Sequence, residues 1–165
     1  MAWSILTPGL AKYQAIDETS TTKNFPLGFM VQAFDESGVQ GCCTFVYCSG
    51  VASTIATDWV TIAEDFATIR LVANAKGPVA VAMSACVASE YGWYQVTGKA
   101  IGGSGAAITD GAAIYIHGTA GLVDDAVVDG DMVHNAFARS TISGAAITGH
   151  FQIWWPYTDD INSND

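Results

Sequence analysis

Two neighbouring segments decide the fold. They are Gly77-Pro78-Val79-Ala80-Val81-Ala82-Met83-Ser84-Ala85 and, after a short link, Tyr91-Gly92-Trp93-Tyr94-Gln95-Val96-Thr97-Gly98-Lys99-Ala100. The first is apolar behind a Gly-Pro breaker, which is typical of a strand buried on both faces. In the second, Trp93, Gln95 and Thr97 alternate with Tyr94 and Val96, so the indole and the phenol face opposite sides of a strand. The two segments predict an antiparallel pair at the centre of a small all-β domain.

Further strand signals follow at short spacing, separated by Gly and Asp turns. They cover residues 28–34, 40–48, 59–62, 68–72, 112–117, 132–142 and 146–155. Residues 102–106 predict a hairpin loop, and residues 58–66 offer a weak helical alternative. Strands of this length and spacing predict a compact antiparallel β-sandwich or β-barrel.

The 165 residues are enough for one domain with a true core. Residues 1–27 mix polar runs with isolated apolar anchors such as Trp3, Tyr13 and Phe25, which predicts an extended N-terminal arm. The alternative is a floppy terminus. Residues 28–160 form the single predicted β domain, and residues 161–165 a frayed C-terminal tail.

The chain is acidic and has few charged residues. Only 13% of the residues are charged, and 16 acids against 6 scattered bases give a formal charge of −10. Phosphate backbones and anionic membranes would repel such a chain, so neither nucleic acid nor a membrane is an expected partner. The start Met1-Ala2-Trp3-Ser4 lacks the features of a signal peptide, which predicts synthesis in the cytoplasm. A large uncharged surface favours a protein that is covered by other subunits.

No motif indicates catalysis. Gly102-Gly103-Ser104-Gly105-Ala106 approaches a nucleophile elbow but ends in Ala and leads toward a strand, where the elbow needs a helix. His117, His134 and His150 have no metal-ligand spacing. We therefore expect no enzyme and no cofactor, and a hydrolase built on His117 or His134 is a distant alternative.

Two clusters of residues are candidates for metal sites. Asp124, Asp125, Asp129 and Asp131 could hold a hard cation such as calcium, or they are solvated turn acids, since the spacing does not fit an EF-hand loop. Cys42, Cys43, Cys48 and Cys86 lack the CxxC spacing of zinc sites and are expected to be small buried thiols. No metal site is predicted.

Trp154-Trp155-Pro156-Tyr157 gathers aromatic residues near the end of the chain. Strand alternation places the two indoles on opposite faces, so we expect one to fill the core and the other to meet a partner. Such rings suit a protein contact or a sugar-binding platform.

Several blocks carry a resemblance to a known family. They are Phe45-Val46-Tyr47-Cys48-Ser49-Gly50-Val51-Ala52-Ser53-Thr54, Asp58-Trp59-Val60, Gly77-Pro78-Val79-Ala80-Val81-Ala82, Tyr91-Gly92-Trp93-Tyr94-Gln95-Val96-Thr97-Gly98 and Thr119-Ala120-Gly121-Leu122-Val123-Asp124-Asp125. Over about residues 20–160 the chain resembles the capsid decoration, or cement, proteins of tailed bacteriophages of the marine and cyanobacterial type. The resemblance implies a compact β domain on the outer surface of the virion capsid, commonly a homotrimer. Such proteins clamp neighbouring subunits of the major capsid protein and have no catalytic motif.

Two functions from different classes therefore follow from the sequence. The first is a capsid decoration protein that stabilises the icosahedral head, and the alternative is a carbohydrate- or receptor-binding module of a phage head fibre, stacking sugars on Trp93, Trp154 or Trp155. The candidate interface residues are Trp3, Tyr13, Phe25, Trp93, Trp154 and Trp155.

Overall fold

The computed structural model describes residues 2–7, 9–10, 12–144 and 147–161, and this part of the chain is all-β, with no helix. The strands are β1 (Trp3–Ile5), β2 (Met30–Asp35), β3 (Cys42–Ser49), β4 (Trp59–Ile62), β5 (Thr68–Arg70), β6 (Gly77–Ala82), β7 (Tyr91–Ser104), β8 (Ala113–Ile116), β9 (Val123–Asp124), β10 (Met132–Ala138) and β11 (Ile147–Thr158). The predicted fold class is confirmed, and the weak helical alternative at residues 58–66 is wrong, because β4 begins there.

Strand β7 is the centre of the sheet. Its first half pairs with β3 on one edge and, at Gln95 and Tyr94, with β6 on the other. Its second half pairs with β11 from Thr97 to Ser104. The antiparallel pair predicted from residues 77–85 and 91–100 is therefore confirmed, with Val81 opposite Gln95.

The pairings form a closed ring of strands around the main core. The ring runs from β7 through β9, β8, β10 and β11 back to β7, and within it only the β7–β9 contact is parallel. Trp59, Ile114 and Phe151 lie in the core, with the Trp59 and Phe151 rings edge to face at 5.2 Å. Strands β1 and β2 extend the sheet beyond β3, and β4 and β5 extend it beyond β6.

The N-terminal segment lies against the chain's own sheet. Strand β1 pairs with β2, while Ile16 and Phe25 are buried among the inward side chains of β2, β3 and β7. A buried hydrogen bond fixes this segment, because the Tyr47 hydroxyl lies 2.7 Å from Gln14 Oε1. The described residues of the predicted arm thus complete a second core within this one chain.

The predicted loop at residues 102–106 is mostly strand, because β7 continues to Ser104. Gly102 and Gly103 lie under other side chains: an added Cβ would fall 2.6 Å from Trp59 Nε1 and 2.7 Å from Leu122 Cδ2, respectively. These glycines make room for a close approach within the sheet and do not form a turn. The last strand likewise continues past its predicted end at Trp155, through Pro156 to Thr158.

Candidate interaction surface

An apolar groove opens where β11 separates from β7. Its volume is about 530 Å³. It is lined by Gly28, Met30, Val46, Ile62, Ala63, Glu64, Phe66, Pro78, Val79, Val96, Trp155, Pro156 and Tyr157. Glu64 is the only charged side chain of this lining, and the volume falls within the range of small-molecule pockets and side-chain clefts.

A left-handed residue lies in the wall of the groove. Trp155 has φ of 51°, and the register of β10 and β11 shifts between the pairs Ala136–Ile153 and His134–Tyr157. Asn135, in the shifted part of β10, is also left-handed, with φ of 58°. The bulge turns the end of β11 away from β7, so that Tyr157 pairs with Pro78 of β6.

The bulge also corrects the prediction for the two indoles. Strand alternation holds up to Ile153, which is buried, and then slips by one residue, so that Pro156 and Thr158 point inward. Trp154 is consequently 66% exposed and Trp155 46% exposed. Neither indole fills the core, whereas one was expected to.

The groove continues into an uncharged row across four strands. Gln32 lies opposite Thr44, Thr44 opposite Thr97, and Thr97 opposite Trp154. Met30 joins the groove to a shallow depression that Leu6, Gln32 and Thr44 line. We call this surface the groove face; its exposed apolar side chains are Leu6, Met30, Phe34, Phe66, Trp154, Trp155 and Tyr157.

The other candidate interface residues occupy different environments. Trp93 is fully buried and Phe25 is 6% exposed, so both belong to the second core and offer no surface to a partner. Trp3 is half-buried, with its ring 4.9 Å from that of Phe45. Tyr13 is exposed on the N-terminal segment. The prediction of an interface is thus corrected for Trp93 and Phe25, which stabilise the fold.

The sequence reasoning missed two residues that line the groove. Met30 and Phe66 were not singled out, although each is an exposed apolar side chain beside it. For Met30 the alternation of β2 contained the signal, because Val31 and Ala33 point inward and leave Met30 outward.

The histidines are dispersed among different neighbours. His134 Nε2 lies 3.4 Å from Asp159 Oδ1, and the ring stacks on Tyr157. His117 Nδ1 accepts a hydrogen bond from the Thr119 amide at 3.0 Å. Burial and the nearby Lys99 lower the pKa of His150. The structure therefore does not gather the three imidazoles in one place.

The aspartates expected as a cation site or as turn acids hold the backbone of loops. Asp124 accepts a hydrogen bond from the Ala126 amide, Asp125 from that of Thr109 and Asp131 from that of Asn74, over 2.7 to 3.0 Å. Within the described part of the chain, no group of three or more acidic, histidine or cysteine side chains is arranged to hold a metal ion.

All four cysteines are free thiols. Cys43, Cys48 and Cys86 are buried as predicted, but Cys42 is exposed. Burial raises the pKa values of Cys43 and Cys48 to about 12 each. Because Cys42 lies opposite Phe34 on the outward side of β3, it shares the groove face and not the second core.

Comparisons with known proteins identify no relative. No family model matches the chain, and neither a curated protein nor a solved structure is similar to it. In residues 2–7, 9–10, 12–144 and 147–161 there is no helix long and apolar enough to cross a membrane.

Proposed function

We propose that this chain is a structural virion protein, a capsid decoration protein that binds the outer surface of the major capsid protein lattice and stabilises the icosahedral head. The observation that carries the proposal is the groove face: a surface with few charges and exposed aromatic rings suits a protein that works against other subunits. The resemblance of the sequence to cement proteins supports the same function, as does the all-β fold.

Decoration stabilises a shell by adding buried area across subunit boundaries. Specific interfaces bury roughly 1,200–2,000 Å², which a homotrimer can supply at several boundaries at once. Binding by one subunit of a trimer makes the other contacts intramolecular, so a weak contact per subunit becomes a strong attachment overall. The net charge of −10 would also keep decorated particles apart in solution.

The sugar-binding alternative has less support in the structure. Trp93, one of its three proposed stacking faces, is buried, and the groove beside Trp155 has one charged side chain, Glu64. Sugar recognition needs several convergent polar groups as well as an aromatic face.

Deletion of the chain from the phage that encodes it tests the proposal. We expect wild-type virions to contain the chain in many copies, and virions without it to release their DNA at a lower temperature. Adding back the purified chain should restore the release temperature, whereas adding serum albumin should not. Absence of the chain from purified virions, or an unchanged release temperature after deletion, would contradict the proposal.

A further inference from the structure

We propose that Cys48 and Cys86 are a redox-sensitive pair that can close a disulfide between strand β3 and the loop that precedes β7. The inference does not depend on the proposed function, because it concerns the stability of the fold in reducing and in oxidising surroundings. Its basis is the position of the two thiols, which are free and buried together in a third core with Val46, Val60 and Tyr94.

A glycine opposite Cys48 places Cys86 beside it. Cys48 pairs with Gly92 in the ladder of β3 and β7. A Cβ added at Gly92 would fall 3.1 Å from Cys86 Sγ and 3.2 Å from Cys86 Cβ, so Cys86 fills the space of the missing side chain. Directly opposed residues have Cβ atoms about 4.5–5.5 Å apart, and a disulfide needs about 3.5–4.5 Å. Cys86 thus stands where a cross-strand neighbour of Cys48 would stand, and a small movement of its loop brings the two Cβ atoms within reach.

A second glycine holds the backbone of Cys86 over the same face of β3. Gly50 lies two residues after Cys48, and its amide donates a hydrogen bond to the Glu90 carbonyl at 2.9 Å, so the strand pairing continues to this point. Residues two apart in a strand share a face. A Cβ added at Gly50 would collide with the Cys86 carbonyl oxygen. Contacts at Gly50 and at Gly92 therefore place Cys86 next to Cys48 from two directions.

The other two cysteines lie elsewhere. Cys42 is exposed and is six residues from Cys48 on the same strand, which corresponds to roughly 20 Å. Cys43 belongs to the second core, on the opposite face of β3. Cys48 and Cys86 are thus the two cysteines that share a core.

A small disulfide such as oxidised glutathione supplies the oxidant for the reaction. The Cys86 thiolate attacks one glutathione sulfur, forms a mixed disulfide and releases one glutathione thiolate. The Cys48 thiolate then attacks Cys86 Sγ and releases the second glutathione thiolate. One S–S bond is made for one broken, the two protein thiols lose two protons to solvent, and two electrons pass to glutathione.

Burial makes this reaction slow in the closed fold. It raises the pKa of both thiols, that of Cys48 to about 12, so few molecules carry the reactive thiolate near neutral pH. A hydrogen bond from the Tyr94 hydroxyl opposes this effect at Cys86. Because Ala85 and Val87 on either side of Cys86 are exposed, opening of this loop presents Cys86 to the oxidant first. We therefore expect mild urea to accelerate the oxidation.

Oxidation of the purified full chain with oxidised glutathione at pH 8, in mild urea that is then removed, tests the inference. Peptide mass spectrometry without reduction should find Cys48 linked to Cys86. The bond closes a loop of about 40 residues, so the midpoint of thermal unfolding should rise by about 5–15 °C and return to its starting value with dithiothreitol.

Matched variants assign the shift to this pair. The double variant Cys42→Ala and Cys43→Ala keeps the pair and should show the same link and the same rise, whereas Cys86→Ala should show neither. The linked peptide is measured in the wild type, so the test does not depend on how well a variant folds. Absence of a Cys48–Cys86 peptide after complete oxidation would overturn the inference, as would a link that leaves the midpoint unchanged or lowers it.

Discussion

Both faces of β3 carry apolar side chains, but different parts of the chain cover them. On one face, Phe45 and Tyr47 are sealed by the N-terminal segment, whose Phe25 ring lies 5.2 Å from that of Tyr47. On the other face, Val46 reaches the groove, and no segment of the described chain closes the opening beside it. Alternation in a strand thus shows which residues are apolar on each side, but not whether the chain has a segment to cover them.

This difference assigns two roles to aromatic residues of similar size. The aromatic rings of the covered face, Phe25, Tyr47 and Trp93, contribute to the stability of the fold. Those around the groove, including Trp154 and Trp155, are between 38% and 66% exposed and contribute less to it. Substitutions on the two faces should therefore separate loss of folding from loss of assembly.

The largest expected effect is that of Phe25→Ala on the covered face. Phe25 packs against the Phe29, Tyr47 and Trp93 rings, so its removal should lower the free energy of unfolding by about 3–5 kcal/mol. Trp154→Ala beside the groove is the comparison, because that side chain is 66% exposed, with an expected loss below about 1 kcal/mol. Urea unfolding measures both, and equal losses would show that the two faces do not differ in this way.

Alkaline pH should destabilise the fold through thiols on both faces of β3. Cys43, on the covered face, and Cys48, on the other, have pKa values that burial raises to about 12, from 9.0. The unfolded chain loses these protons at lower pH than the folded chain, so stability is complete below pH 9 and falls as the pH rises toward 12. Each thiol should contribute up to about 1.4 kcal/mol per pH unit in this window.

The pH dependence can be assigned with a matched variant. Urea unfolding at a series of pH values should show a shallower loss for the double variant Cys43→Ala and Cys48→Ala. Cys42→Ala is the control, because that thiol is exposed. A double variant with the same pH dependence as the wild type would refute the assignment.

The left-handed bulge at the groove is tested by comparing Trp155→Gly with Trp155→Ala. With φ of 51°, position 155 costs a non-glycine residue about 1–2 kcal/mol, and glycine avoids that cost. We expect the glycine variant to be more stable than the alanine variant by about 1 kcal/mol in urea unfolding. A less stable glycine variant would mean that β11 continues without this bulge.

The least invasive test needs no substitution and compares the adjacent thiols Cys42 and Cys43, which point to opposite faces of β3. Iodoacetamide at pH 8 should modify Cys42 readily and Cys43 at least about a hundredfold more slowly, since burial both covers Cys43 and keeps it protonated. Peptide mass spectrometry of the native chain measures the two rates. Equal rates would show that the N-terminal segment does not seal its face.

The sequence predicted the fold where local pattern and tertiary context agree. Residues 59–62 were predicted as a strand and form β4, and the alternation of Trp93 with Tyr94 placed the two rings in different cores. At Gly102 and Gly103 the glycines indicated a loop, although the real reason for them is the space that the Trp59 and Leu122 side chains need. Such close approaches come from distant parts of the chain and cannot be inferred from local pattern.

The groove was beyond prediction for a similar reason. The bulge beside it has left-handed conformations at Asn135 and Trp155, and a tryptophan gives no local signal for such a conformation. The sequence did indicate that aromatic residues at 154 and 155 matter for a contact, which stays a prediction. The sequence also predicted Trp93 and Phe25 as interface residues. Both are buried, and the sequence could not show this because cores and interfaces use the same types of large apolar side chain.

An electron cryomicroscopy reconstruction of the virion tests the central claim most directly, because it shows what covers the groove face in the assembled particle. We expect density for this chain on the outside of the shell, with Trp154 and Trp155 buried against a neighbouring protein chain. A particle without such density, or one in which the groove face of every bound copy is open to solvent, would contradict the assignment of this surface to assembly.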